Sequence, residues 1–348
     1  MLSTPLLASL AAAYPNTQID YLVTEGCQEV LARNDRVRKV FTLAKKRGFF
    51  SHIFGKLALL FKLPRYDLVF NLSGSKFGVT IGILTRAKIT SFATKSRLHN
   101  RFVSRLVKRD WDSKHVVLQG LDLLLPTQPR LSKCEFWVKT EAKNLPLHKN
   151  LPNQTQVKFE FAQAFREKFL VDLPPKFILF CVTASNIAKS PGVELFANLA
   201  NFVEGLGFAV VVSGAANECE EVEKFCQRCN TSPLNLCGKT SLEELAFLGF
   251  CAQFYIGNDT ATQHICAAVG TRCVGIFADT PIYNWGAWDE KSYPLNDRSL
   301  VLGAHAALKI ALQNQRNDGL FPNCSKQELD ALEAEAKKTI LLFCQNQI

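Results

Sequence analysis

The feature that most constrains this chain is its alternation of short apolar runs with amphipathic stretches. Residues 177–184, FILFCVTA, are almost continuously apolar, as a strand covered on both faces requires. FAVVVSG (208–214), QFYIG (253–257) and CVGIF (273–277) repeat the pattern. Helical stretches fall between them. One runs from Pro191 to about Leu206 and ends at Gly207; a second starts near Asn217. A third opens at Thr240-Ser241-Leu242-Glu243-Glu244, which holds two overlapping capping boxes, and a fourth follows the turn at Asn258-Asp259-Thr260 and closes at Gly270. Ser325 and Glu328 form another capping box, opening a long final helix to about Phe343. A βαβαβ series of this kind folds most economically as a parallel sheet with helices on both faces.

The first half reads the same way, less cleanly. QIDYLV (18–23), VRKVF (37–41), YDLVFNL (66–72) and KITSF (88–92) are strand candidates. Helices are expected at 5–13, around 26–32, at 51–62 and 76–85, and from Leu118 to Leu125. Residues 139–157 are polar, contain Pro146 and Pro152, and read as connecting structure before a helix at 158–170. Asp172-Leu173-Pro174-Pro175 then punctuates the chain. A length of 348 residues suggests two domains. The expected border lies there, giving Rossmann-like domains at 1–171 and 172–348.

The formal net charge of +10 is unevenly spread. Residues 1–150 hold 25 Lys and Arg against 10 Asp and Glu, and the remainder holds 16 against 21. Between Lys45 and Arg109 there are 15 basic residues and a single acid, Asp67. The first half therefore suits an anionic partner: a phosphorylated substrate, a membrane surface or nucleic acid. A solvated basic face is the plainer alternative. Lys45, Lys46 and Arg47 precede FFSHIFGKLALLFKL (49–63), which suits either an anionic membrane surface or packing on a sheet. Arg97 and Arg101 are grouped with them as acceptor- or membrane-facing. No apolar run reaches 18 residues, so no transmembrane helix is expected. The segment MLSTPLLASLAAAYP reads as a helix between Pro5 and Pro15 or as a signal peptide lacking its basic start.

The 12 cysteines are too sparse for a disulfide scaffold and read as core residues of a reducing compartment. Cys219, Cys226, Cys229 and Cys237 include one C-x-x-C, too loose a set to expect zinc. No nucleophile elbow, Walker loop or HExxH pattern is present, and neither metal nor cofactor is expected.

Three loops follow strand ends, where open α/β sheets bind ligands. Residues 258–264 run from a strand into a helix whose free N–H groups suit a phosphate. There Thr260 and Thr262 add hydroxyls, His264 a ring donor and Asp259 a cap or sugar acceptor; an ordinary N-cap is the alternative. Residues 184–191 carry Lys189, which suits an anionic ligand or plain solvation. Residues 213–218 are small up to Glu218, which suits ribose or base donors, or simply a helix start.

In this order and spacing the loops resemble the signature of bacterial ADP-heptose:lipopolysaccharide heptosyltransferases (glycosyltransferase family 9). That family typically shows Gly-Lys-Thr-Ser-Leu-x-Glu-Leu, then Asp-[Ser/Thr]-Gly-x-x-His, then Ala-Ala-x-Gly-Thr. Here these read GKTSLEEL, DTATQH and AAVGT within 235–281. KHVVLQGLDLLL (114–125) and NWGAWDEK (284–291) are most like the heptosyltransferase III branch. The resemblance implies a GT-B fold, with an acceptor domain followed by an ADP-sugar domain facing it across a cleft. It implies inverting transfer of heptose from ADP-heptose, a co-substrate, to a lipid A-core acceptor without an obligatory metal. By position, Asp259, Thr260, Ala261 and His264 match the donor-diphosphate and sugar motif. Lys189 matches a phosphate-contacting Lys, and Glu218 lies near the nucleoside acid. A cytoplasmic protein, peripheral on the inner face of the inner membrane, is the matching location.

Three departures set further expectations. Ala261 replaces the motif glycine. Lys189-Ser190-Pro191 lacks the Arg and Trp of the usual Lys-Arg-Trp-Pro. Relatives begin with a strand and a Gly-Asp loop whose Asp is the expected general base, and Met1 falls after that point. Glu25 is the nearest substitute, and weak or absent transfer is expected. Two other readings stand: a GT-B enzyme using a different nucleotide sugar, and a basic nucleic-acid-binding protein. Against the second, no recognition motif or aromatic platform is present, so no nucleic acid is expected as a partner.

Overall fold

Helix α1 (Thr4–Ala13) carries Pro5 in its first turn and buries Leu6, Leu7 and Leu10. Proline's fixed φ and missing N–H suit that position. The computed structural model describes residues 1–44, 49–111, 114–125, 131–140, 144–184, 190–277, 280–289, 301–302, 305–309 and 326–345. They fall into two units, Leu2–Ser132 and Lys133–Ile348.

In the first unit, β1 (Ile19–Thr24) and β2 (Val37–Leu43) pair in parallel. The helix expected around 26–32 is instead a single 3-10 turn at Gln28–Val30, after Gly26 at φ +90°. A left-handed residue of this kind turns the chain rather than extending a helix. Then come α2 (Phe49–Lys62), β3 (Leu68–Asn71), α3 (Lys76–Leu84), β4 (Lys88–Phe92), α4 (Arg97–Asn100), β5 (Arg105–Val107) and α5 (Val116–Asp122). Strands β3, β4 and β5 form a second parallel sheet in that order. The first domain's expected single sheet is thus two sheets, because among the described residues no strand joins β1 to β3. A side-chain bond spans them: the Tyr66 hydroxyl donates to Asp20 Oδ2 at 2.7 Å. The Arg38 guanidinium donates to the same carboxylate and holds it below the usual carboxylate range.

The second unit begins with a hairpin, β6 (Trp137–Lys139) and β7 (Asn144–Pro146), and α6 (Gln154–Phe169). The main sheet follows: β8 (Phe177–Cys181), α7 (Val193–Gly205), β9 (Ala209–Val212), α8 (Cys219–Cys226), β10 (Leu234–Asn235) and α9 (Leu242–Cys251). Next are β11 (Phe254–Asn258), α10 (Ala261–Ala268), β12 (Arg272–Phe277), α11 (Ile282–Trp285), β13 (Val301–Leu302), β14 (His305–Lys309) and α12 (Lys326–Gln345). The strand order is β10-β9-β8-β11-β12-β14-β13; the pairs are parallel except β14 with β13, which is antiparallel. Core residues from β8, β9, β11 and β12 pack against α7, α8 and α12. At α9 one of the two expected capping boxes forms: Ser241 Oγ accepts from the Glu244 N–H, and Glu244 Oε2 accepts from the Ser241 N–H. Ser325 lies outside the described residues.

The observed border falls at 132/133 rather than at 171/172. The reason is packing. Phe161 of α6 stacks on Phe247 of α9 with centroids 4.9 Å apart. The Lys149 ammonium donates to the Ala252 and Gln253 carbonyls at the end of α9. Residues 133–171 therefore belong with the second unit. No helix among the described residues is long and apolar enough to cross a membrane.

Candidate functional site

The main sheet reverses its winding between β8 and β11. From β8 the chain crosses to β9 on one side, and from β11 to β12 on the other. Ligands of open parallel sheets bind beyond the carboxyl ends of the strands at such a point. The sequence builds it simply. Strands β8 and β11 are buried at every residue, so both belong in the centre of the sheet. Polar side chains resume just past them, at Thr183 and Asp259.

Those polar residues tie three loops together. Asn258 Nδ2 donates to the Val182 carbonyl at 3.0 Å, joining β11 to the loop after β8. The Thr183 hydroxyl donates to Glu218 Oε2 at 2.7 Å, and the Ala215 N–H donates to the same oxygen at 2.9 Å. These two bonds join the β8 loop to the loop after β9 and leave Glu218 Oε1 for another donor. The wholly buried Tyr255 sends its hydroxyl to the Asn258 carbonyl at 3.0 Å and fixes the turn from below. Burial pushes the Tyr255 phenol well up, so it stays a donor.

Beyond that turn, Thr260 is the N-cap of α10, with φ −138° and no side-chain cap bond. The first-turn N–H groups therefore keep their pull on an anion. His264 lies one turn into α10, with Nε2 3.7 Å from Asp259 Oδ1, and both side chains are nearly buried. Among the described residues, Asn258 Oδ1 and Ser213 Oγ are buried without a hydrogen-bond partner. Each such atom costs about 1–3 kcal/mol. Two of them at the ends of β11 and β9 suit an edge that receives a polar ligand.

The structure thus brings together Asp259, Thr260, Ala261 and His264, and links Glu218 to them through Thr183, Val182 and Asn258. Ala261 opens α10 and is not among the positive-φ residues, so alanine serves there without strain. Glu25 is exposed just past β1. Arg97 and Arg101 are exposed at the start and the C-cap of α4. Lys189, Lys45, Lys46 and Arg47 lie outside the described residues. Sequence reasoning missed the parts played by Thr183, Ser213, Tyr255 and Asn258. Their signal was present, as polar atoms within or directly after apolar strand runs. Among the described residues no three His, Cys, Asp or Glu groups converge as metal ligands.

A family model, Glycosyltransferase family 9 (heptosyltransferase), matches residues 56–314. The chain is 24% identical over 302 residues to lipopolysaccharide heptosyltransferase 3 of Escherichia coli K12, covering 83% of this chain and 82% of that one. Among solved structures, a glycosyl transferase family 9 protein from Veillonella parvula matches with TM-score 0.75 at 20% identity, over 98% and 93% of the two chains. An E. coli ADP-heptose lps heptosyltransferase II matches with TM-score 0.66 at 17% identity, over 96% and 95%. These likenesses show the fold to be GT-B.

Proposed function

The chain belongs to glycosyltransferase family 9, the heptosyltransferases, and on that premise we propose that it moves heptose from ADP-heptose to the inner core of lipopolysaccharide, inverting the anomeric centre. The observation that carries the donor assignment is the 258–264 turn and helix start at the reversal of the main sheet. Transfer breaks the bond between the anomeric carbon and ADP, and negative charge grows on the departing phosphate. The α10 N–H groups and the Thr260 and Thr262 hydroxyls supply fixed positive potential for that charge, and Lys189, matched by the family motif alone, adds a cation. His264 donates to a phosphate or sugar oxygen. Glu218 Oε1 accepts from the nucleoside ribose. The acceptor hydroxyl attacks from the face opposite ADP and gives up its proton. Glu25, just past β1, is the carboxylate proposed to take that proton.

Thr260→Val and His264→Ala test the donor site by calorimetry with ADP. Thr260 makes no capping bond, so its hydroxyl can be removed without unwinding α10. Each variant is expected to bind ADP roughly tenfold more weakly, the loss of one hydrogen bond to a charged group. Unchanged affinity in both would sink the assignment. Tighter binding of UDP or GDP than of ADP would favour a different nucleotide sugar.

The basic first unit suits a phosphorylated acceptor at an anionic membrane surface on the cytoplasmic side. Phe61 on α2 is 91% exposed, and Leu98 and Phe102 beside Arg97 and Arg101 are 62% and 54% exposed. Exposed apolar residues beside cations suit a surface that meets lipid. Neutralising Lys45, Lys46, Arg47, Arg97 and Arg101 to Gln is expected to weaken binding to phosphatidylglycerol vesicles, read by sedimentation, about a thousandfold at low salt, at about 1 kcal/mol per charge. Equal sedimentation of variant and parent would refute membrane docking through these residues.

A further inference from the structure

We propose that Cys219 and Cys237 are an oxidisable thiol pair whose reversible disulfide weakens nucleotide binding, an inference that rests on Glu218 marking the nucleoside end of the donor site. Of the group Cys219, Cys226, Cys229 and Cys237, only Cys226 and Cys229 have C-x-x-C spacing, yet the fold brings Cys219 and Cys237 together. Cys219 opens α8 and is partly buried; Cys237 follows β10 and is 4% exposed. Their sulfurs lie 3.1 Å apart although the residues are 18 positions apart in sequence. A disulfide needs about 2.05 Å, so closure asks for a shift of about 1 Å.

The pair sits against the loop that orients Glu218. The Cys237 thiol donates to the Ala215 carbonyl at 3.2 Å, and the Ala215 N–H donates to Glu218 Oε2 at 2.9 Å. Cys219 is the next residue after Glu218. Two glycines admit the sulfurs. A Cβ at Gly214 would lie 2.9 Å from Cys237 Sγ, and one at Gly238 would lie 3.2 Å from Cys219 Sγ. Disulfide formation removes the thiol proton that Ala215 accepts and draws Cys219 toward β10. Both changes displace the Glu218 carboxylate.

Hydrogen peroxide is the oxidant considered. The partly exposed Cys219 is reached first, since burial and the neighbouring thiol push Cys237 up to about 12. Cys219 sulfur attacks one peroxide oxygen, the O–O bond breaks, and hydroxide leaves with the thiol proton as water. Cys237 sulfur then attacks the resulting sulfenic acid. The S–S bond forms, the S–O bond breaks, and the departing hydroxide takes the Cys237 proton. Two thiols become one disulfide, and one peroxide becomes two waters.

The test compares the full chain, reduced and peroxide-treated, by peptide mapping without reductant and by calorimetry with ADP. The expected result is a cross-linked pair of peptides bearing Cys219 and Cys237, two hydrogens lighter than their sum. ADP binding should fall about fivefold, recover with dithiothreitol, and stay unaffected by peroxide in Cys219→Ser. Absence of that cross-link overturns the proposal, as does a cross-linked chain that binds ADP like the reduced one. Failure of the reduced chain to bind ADP overturns the donor-site reading instead, and the regulatory role falls with it.

Discussion

Replacing Gly257 by alanine is expected to destabilise the second unit by about 3 kcal/mol and to abolish ADP binding. The requirement for glycine here is steric, since Gly257 is not among the positive-φ residues. Strand side chains two residues apart share a face, and the Tyr255 side chain folds back over Gly257 on its way to the Asn258 carbonyl. A Cβ at Gly257 would overlap the Tyr255 hydroxyl and lie 2.5 Å from the Cys181 carbonyl oxygen. A side-chain tip can move aside; the backbone of β8, paired with Gly257 across the sheet centre, cannot. Overpacking a core typically costs about 1–3 kcal/mol, and a main-chain clash belongs at the top of that range. Urea unfolding and ADP calorimetry read the two effects. Tyr255→Phe in the same chain should not restore stability, because the Cys181 carbonyl remains. A Gly257→Ala protein as stable as its parent would show that β8 and β11 are not packed as described.

The second large effect is a loss of about 3 kcal/mol of stability between pH 6.5 and pH 4. His305 lies in β14, and its Nδ1 accepts from the Cys273 N–H at 3.2 Å. Burial pushes its pKa down from 6.5 to about 4. The sign follows from linkage. Above pH 6.5 the ring is neutral in both states, and its contribution is fully present. Below 6.5 the unfolded chain takes up a proton that the folded chain refuses until about pH 4. Acid therefore favours unfolding across that window and adds nothing further below it. A gap of two to three pH units, at about 1.4 kcal/mol each, gives the magnitude. His305→Asn keeps an acceptor for the Cys273 N–H and does not titrate. Its urea midpoint should vary less with pH across the window than the parent's; identical slopes would exclude His305 as the source.

Strands were legible wherever burial is complete. Residues 177–182 and 254–256 are apolar because β8 and β11 are covered on both faces; KITSF coincides with β4 through its alternating pattern although that strand is only partly buried. Strand β14, with the sequence HAALK, was not, because alanine and histidine carry no strand signature and its burial comes from β12 and α12. Strand β7 falls in the 139–157 stretch that reads as a connection, because Pro146 ends it and polar residues surround it. The domain border failed for a related reason. Asp172 to Pro175 is strong local punctuation, yet contacts such as Phe161 on Phe247 decide where a segment belongs. The site was half legible. Motif residues at the start of α10 are adjacent in sequence. The ties among Thr183, Glu218 and Asn258 cross three loops and exist only after the sheet has formed.

The proposed donor site places the ADP end of the donor at the carboxyl edge of β8 and β11. A crystal structure of the chain soaked with ADP tests it most directly. The diphosphate is expected on the first-turn N–H groups of α10, within hydrogen-bond reach of Thr260 and His264, with the ribose toward Glu218. ADP bound at any other place on the chain, with this edge empty at saturating nucleotide, would contradict it.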